Sequence, residues 1–526
     1  MNISNMNLMP APVYWEPLLP MLAVFGAGVL AMTSEIIWPK RTNNVIVLIC
    51  LLGLAVGGGL IVLDWSSGVF HREPMEFFGL KFGDGSDAFS GGLFIHDRFG
   101  QVVQLLLIAV TFLTVLFSEG YLRERKIPFG EYYPLILWSA VGGMIMVTTR
   151  DLIIFFLGLE TLSIALYVLA GLNSSEKRSQ ESALKYFLLG AFASSFLLFG
   201  IALIYGATGT THVSGIEMFM AKQPLDPTLI KVLFGGIALS LIGFGFKAAL
   251  VPFHMWTPDV YQGAPTSVTA FMAAGSKVAA FCALVRFLGS ANHPDLSSVW
   301  LPALAVLAVL TMTVGNLIAL AQRDAKRMLG YSSIAQAGYL LVAVIAWSAH
   351  PELIGTNTVV FYLAAYSLMT VGAFAVLSLT AHNGHEGTQL EDYYGLWKRA
   401  PFAAAAMIVF LASLAGVPPT GGFVGKFLIF RDAIEADYTW LAIILGVNSV
   451  ISAFYYLRLV MAVCVKEPEL RETRFSKQNP GVFSTTAICM VAVLAMGILA
   501  GPVIKWIGLQ GPTQTEKIER TVATKQ

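Results

Sequence analysis

The sequence predicts an all-α, polytopic membrane protein of about fourteen transmembrane helices. Three observations lead there. Of its 526 residues 56% are hydrophobic and only 12% charged, with mean hydropathy +0.70, far from the balance of a soluble domain. The apolar residues gather in runs of about 20, the length that crosses a hydrocarbon core as a helix. The runs form two related units, each with a broken helix, an arrangement typical of transporters.

The elements follow in order. The first run is 16–37. The first lysine is Lys40, so no charged leader is expected and this run should be a genuine span. The second is 44–64. Segment 65–98 is rich in glycine and aspartate (Gly83-Asp84-Gly85-Ser86-Asp87) and should lie outside, with room for a short hairpin. Spans at 99–118, 133–149 and 151–172 come next, the last two joined tightly at Arg150-Asp151. Then come 183–206, a broken 229–256, 266–289, 300–321, 329–348, 358–380, a broken 401–434, 438–465 and 482–505. The breaks fall at Val251-Pro252 and Val417-Pro418-Pro419, because proline removes a donor and clashes with the preceding turn. The backbone groups this frees must find new partners.

Lysine and arginine set the orientation. Loops after odd-numbered spans carry Lys40/Arg41, Arg123/Arg125/Lys126, Lys177/Arg178, Arg323/Lys326/Arg327, Lys398/Arg399 and Lys466/Arg471. The loop after span seven has none, and short loops after even spans have far fewer. Both termini are therefore expected on the outer side.

The two units are offset by about 170 residues. Arg150-Asp151 recurs as Arg323-Asp324, Lys185-Tyr186 faces Phe361-Tyr362, Val251-Pro252 faces Val417-Pro418, and Ser276-Lys277 faces Asn448-Ser449. Five spans per unit is an odd number, so the second enters from the opposite side and the repeats are inverted. The expected divisions are 1–132 (three helices and the outer loop), 133–290 (first repeat), 298–466 (second repeat) and 467–526 (last helix and tail).

Deep charges are few. Glu160, Lys247, Lys277 and Lys426 lie well inside apolar runs, and Lys185 lies nearer a span end, beside Glu181. An ionisable side chain at that depth is a functional-site hypothesis by default. Glu160 and Lys247 are expected to pair, since neither stays ionised alone in a dry interior. The bland alternative is a static ion pair. Lys277 has no evident local partner. Lysine, carboxylate and helix break together imply a path for protons or cations. Gln336, Tyr339, Tyr362, Tyr366, Ser194 and Ser195 are suited to hydrogen-bond a water chain, or equally to pack helices. Asp259 reads as a segment end rather than a working charge.

Other chemistries find little support. Cys50, Cys282, Cys464 and Cys489 are scattered, so neither iron–sulfur nor zinc ligation is indicated. No histidine pair suits haem. The stretch Gly421-Gly422-Phe423-Val424-Gly425-Lys426-Phe427 has its glycines misplaced for a phosphate loop, and Phe427 stands where magnesium needs Ser or Thr. A net charge of +1 without basic clusters suggests no nucleic acid.

At Pro252-Phe253-His254-Met255-Trp256-Thr257-Pro258-Asp259-Val260-Tyr261-Gln262-Gly263-Ala264-Pro265-Thr266 the sequence resembles the N subunits of bacterial NADH:quinone oxidoreductase, respiratory complex I. Ala193-Ser194-Ser195-Phe196, Lys326-Arg327-Met328-Leu329-Gly330-Tyr331-Ser332-Ser333-Ile334 and Leu414-Ala415-Gly416-Val417-Pro418-Pro419 extend the likeness over about residues 100–465. The resemblance implies a fourteen-helix, antiporter-like proton channel in the bacterial plasma membrane. Its function would be proton translocation coupled to quinone reduction in other subunits. It implies no cofactor here, the NADH, FMN, iron–sulfur clusters and quinone belonging to the parent complex. It implies subunits M, K and J as neighbours. Matched by position, Glu160, Lys185, Lys247, Lys277 and Lys426 would transfer protons. Lysine at the last position fits the N and L types, and the lateral helix of the L type is missing. Gln336 departs from the histidine many relatives have. The rival reading is a subunit of a related multisubunit sodium/proton antiporter.

Overall fold

The computed structural model describes residues 18–37, 43–67, 93–127, 130–221, 226–290, 294–382, 384–466 and 480–509. In a bilayer each backbone N–H and C=O must be satisfied internally, and long apolar runs do so as helices. These are α1 (Leu19–Ile37), α2 (Asn43–Ser67), α3 (Arg98–Arg125), α4 (Tyr132–Thr148), α5 (Leu152–Ala170), α6 (Lys177–Thr208) and the short α7 (Val213–Ala221). Next come α8 (Pro227–Ala248), α9 (Trp256–Gly263), α10 (Thr266–Ser290), α11 (Pro294–Ala321), α12 (Ala325–Ala349) and α13 (Asn357–Leu377). The rest are α14 (Leu396–Arg399), α15 (Pro401–Ala415), α16 (Gly421–Glu435), α17 (Thr439–Cys464), α18 (Pro480–Ile498) and α19 (Ala500–Ile507). Among the described residues twelve helices are long and apolar enough to span a membrane, and the shorter apolar α4 and α15 bring the number to fourteen.

The expected hairpin of segment 65–98 falls largely outside the described residues. A two-stranded antiparallel ladder occurs elsewhere, pairing Ala381 with Glu386 and His382 with His385.

The repeated Arg-Asp dipeptide has one local job. Asp151 caps α5, accepting from the N–H of Ile153 at 2.8 Å, and Asp324 caps α12, accepting from that of Arg327 at 3.0 Å. Each satisfies an orphan donor of a first helical turn.

Helices α10, α12 and α13 form the centre. Every residue of α10 from Thr266 to Val285 is buried, against 33% of the most apolar stretch of α1 and 39% of those of α6 and α18. Lys277 rides on α10, so its depth follows from that placement.

Both broken helices are present. The first ends at Ala248, with Ala249 in the left-handed region at φ 61°, and resumes at Trp256. The second ends at Ala415, with Gly416 at φ 89°, and resumes at Gly421. Each gap contains a cis X–Pro bond, Val251–Pro252 and Pro418–Pro419. In the first gap the Trp256 indole N–H donates to the Phe246 carbonyl at 3.0 Å, and the Val251 N–H donates to Thr311 Oγ1 at 3.0 Å. In the second gap the freed carbonyls go to a lysine.

Candidate functional site

Lys247 sits in the last turn of α8, just before the break, and is 3% exposed. Its ammonium donates to Ser163 Oγ of α5 at 2.8 Å and to the Tyr186 hydroxyl of α6 at 3.1 Å. The Tyr186 ring lies 5.4 Å from the ammonium and stacks on Trp256, with centroids 4.5 Å apart. Phe246, before the break, also stacks on the Tyr186 ring with centroids 6.5 Å apart, so side chains from both sides of the break hold the group that holds the lysine.

Glu160 and Lys247 do not form the expected direct pair. The Glu160 carboxylate is half-buried and accepts a hydrogen bond from Ser194 Oγ of α6. The reason lies in helical spacing. Ser163, one turn on, points inward and takes the lysine, whereas Glu160 borders the outward stripe of Leu157 and Ile164, 54% and 57% exposed. A cavity of about 10 Å³ is lined by Ser194, Ser163, Tyr167 and Lys247. That is close to the room needed for one water molecule. Ser194, bonded to the carboxylate, and Ser163, bonded to the ammonium, both border this cavity.

Lys277 is 1% exposed and donates to the Ser333 carbonyl of α12. Its ammonium stands 5.5 Å from the Tyr366 ring, and the Tyr366 hydroxyl donates to Ser333 Oγ at 2.8 Å. The next residue, Ser332, hydrogen-bonds the Tyr456 hydroxyl. Gln336, one turn further, donates to that same hydroxyl at 3.0 Å and to the Leu414 carbonyl at 3.2 Å, while its own carbonyl accepts from Tyr362.

Lys426 completes the row. It is 6% exposed, and its ammonium donates to the carbonyls of Leu414 at 2.8 Å and Ala415 at 3.2 Å, and to Ser449 Oγ at 3.0 Å. Those carbonyls are the ones the second break leaves open. Lys277 bonds the Ser333 carbonyl, and from the neighbouring Ser332 hydrogen bonds run through Tyr456 and Gln336 to the Leu414 carbonyl that Lys426 also bonds; Ser333 and Ser332 are joined by the chain rather than by a hydrogen bond. Among the described residues, the hydrogen bonds of Lys247 and of Lys277 share no residue.

Lys185 lies apart from this row. Its side chain is 41% exposed and pairs with Glu181 at 2.6 Å and Asp259 at 2.7 Å. Asp259 also binds Arg327. Its reading as a mere segment end is thus corrected: it joins α6, α9 and α12 through two cations.

Sequence reading missed one cluster. Asn316 of α11 donates to the Tyr339 hydroxyl at 2.9 Å and to Asn448 Oδ1 at 3.1 Å, and accepts from the Tyr455 hydroxyl at 2.9 Å. The Tyr339 ring lies 4.9 Å from the Lys426 ammonium. The available signal was a lone amide in an apolar run, Thr313-Val314-Gly315-Asn316-Leu317-Ile318.

Fold and site together define an antiporter-like membrane protein, with buried lysines strung between two broken helices. Residues 149–452 match the family described as NADH:quinone oxidoreductase/Mrp antiporter, transmembrane, and the chain belongs to it. It is 41% identical over 497 residues to the NADH-quinone oxidoreductase subunit N of Trichlorobacter lovleyi, covering 94% of this chain and 95% of the relative. It is 40% identical to the subunit of that name from Chloroflexus aggregans, covering 94% and 96%. Among solved structures, a chain of respiratory complex I from Thermus thermophilus with bound aureothin superposes with TM-score 0.76 at 36% identity, over 94% of this chain and all of that one. A chain of the membrane-bound sulfane sulfur reductase, an archaeal respiratory membrane complex, superposes with TM-score 0.77 at 26% identity, over 94% and 96%.

Proposed function

We propose that this chain is the N-type, proton-translocating subunit in the membrane arm of an NADH:quinone oxidoreductase. The observation that carries this reading is the run of polar contacts between Lys277 and Lys426 through the centre of the fold. Lysine suits the task because its ammonium, unlike guanidinium, is able to give up a proton in a buried site. Between the two, the Ser332 and Tyr456 hydroxyls and the Gln336 amide both donate and accept, while the Ser333 and Leu414 carbonyls accept only.

Glu160 and Lys247 form the input end in this reading. A proton-coupled change at Glu160 is felt at Lys247 through Ser194 and Ser163. Lys185, with Asp259 and Arg327, stands at the inner mouth and gathers protons. Lys426 delivers to the outer side. The two broken helices belong to two inverted five-helix units, 133–290 and 298–466, which gives each half-path its opposite direction.

The chain holds no redox group in this account. NADH, FMN, iron–sulfur clusters and quinone belong to other subunits of the enzyme. Subunits M, K and J are the expected neighbours, and the half-buried carboxylate of Glu160 on an outward face favours a protein neighbour there over lipid. The complex sits in the bacterial plasma membrane, with both termini of this chain outside.

The test is Lys426→Ala in the native assembly, reconstituted in vesicles. Protons ejected per NADH oxidised should fall. Full proton output from this variant would reduce Lys426 to a structural role.

A further inference from the structure

At one membrane boundary, α4 ends at Thr148, α10 at Ser290 and α12 at Ala349, while α5 begins at Leu152 and α13 at Asn357. Among these ends a cavity of about 350 Å³ opens, walled by Phe99, Arg150, Ser214, Glu217, Arg286 and Trp347. It lies off the lysine row, and α7, which supplies Ser214 and Glu217, crosses it outside the spans.

The charges of the cavity are unequally satisfied. Arg286 is fully engaged. It grips both carboxylate oxygens of Asp97, donates to the Val147 carbonyl at 3.1 Å and lies 4.8 Å from the Phe99 ring centre. The side chains of Arg150 and Glu217 make no hydrogen bond or ion pair with any described residue. The Glu217 side chain is exposed at the cavity mouth; partial burial still raises its carboxyl somewhat above the usual range, against the opposing effect of Arg150 and His212. A cation in contact with Glu217 would relieve that cost, and an anion in contact with Arg150 would complete it. Tryptophan, here Trp347, is favoured where bilayer meets water.

We propose that this cavity binds the headgroup of a zwitterionic aminophospholipid, its phosphate on Arg150 and its primary ammonium on Glu217. One small molecule carrying both charges side by side satisfies both unpaired groups at once. A purely anionic headgroup would leave Glu217 unanswered and bring a second negative charge beside it. Methylating the ammonium would remove the N–H donors that Glu217 accepts.

The purified parent assembly, stripped of loose lipid, is incubated with phosphatidylethanolamine carrying a diazirine beside the glycerol and is then irradiated. Labelled peptides should contain Phe99 or Trp347. Unlabelled phosphatidylethanolamine should compete about tenfold better than phosphatidylcholine or phosphatidylglycerol, the factor expected for one charge-assisted hydrogen bond. Arg150→Gln and Glu217→Gln should each cut labelling by a similar factor. The lipid competition series needs no variant, so it decides even if a variant does not assemble. Equal competition by phosphatidylcholine or phosphatidylglycerol, or labelling confined to other faces, would overturn the proposal. Free phosphoethanolamine displacing the probe as well as the lipid does would make the ligand a soluble zwitterion and overturn its assignment to the bilayer.

Discussion

Gln336 and Lys426 hydrogen-bond the same backbone carbonyl, that of Leu414, at 3.2 and 2.8 Å. That carbonyl is free because α15 stops one residue later. The helix break therefore supplies the point where the central polar row meets the last lysine. A continuous helix would have used the carbonyl internally and left Lys426 without it.

Gln336→Leu is expected to damage pumping. It strips Tyr362 and Tyr456 of their common partner, and a buried polar group left unsatisfied costs about 1–3 kcal/mol. Gln336→His keeps a donor and an acceptor at the same place and should be tolerated. Proton ejection by vesicles containing each variant checks this. Intact pumping with leucine would mean that no proton passes this residue.

Ser194→Ala is expected to reproduce much of the Glu160→Gln defect, because Ser194 stands between the carboxylate and the cavity that borders Lys247. The double variant should be no worse than the more damaging single one, as for residues acting in a unit. Additive losses in NADH-driven proton uptake would show that the two act separately.

The share of this site that is legible in the sequence has a physical limit. Spans, breaks and deep lysines are readable, because length, proline and charge inside an apolar run are local features. Which faces meet is not. Helices α10 and α6 both read as nearly uniform apolar runs, yet α10 is buried throughout residues 266–285 and α6 carries Phe192 at 65% exposure. In lipid the outward face is apolar too, so the alternation that marks a soluble helix is lost. The partners of Lys247 follow from such faces, and so a direct Glu160 contact was the natural expectation where Ser163 and Tyr186 actually stand. Asn316 escaped notice for the same reason, because only its placement opposite Asn448 gives it meaning.

Gly422→Ala is expected to displace α16. A Cβ there would lie 2.0 Å from the Ser413 carbonyl oxygen, which is backbone and cannot swing away. Overpacking of this kind costs about 1–3 kcal/mol, and α16 carries Lys426. The variant should assemble less well and melt lower in a thermal-shift measurement. A variant with unchanged melting and pumping would mean that α15 and α16 separate freely.

The Lys/Arg bias of the sequence predicts both termini outside. A cysteine introduced within residues 1–14 should react with an impermeant maleimide added to intact cells. Labelling that appears only in inside-out vesicles would reverse the topology.

The central claim is that a buried lysine gives up and regains its proton during turnover. Lys247→Arg tests it most directly. Guanidinium keeps the positive charge and can donate to Ser163 and Tyr186, yet it does not deprotonate in proteins. The measurement is protons ejected per NADH oxidised by the assembled enzyme in sealed vesicles. The account predicts assembly with a clear fall in both electron transfer and proton output. An arginine variant that pumps at the full ratio would mean that Lys247 supplies charge only, and that protons take another route.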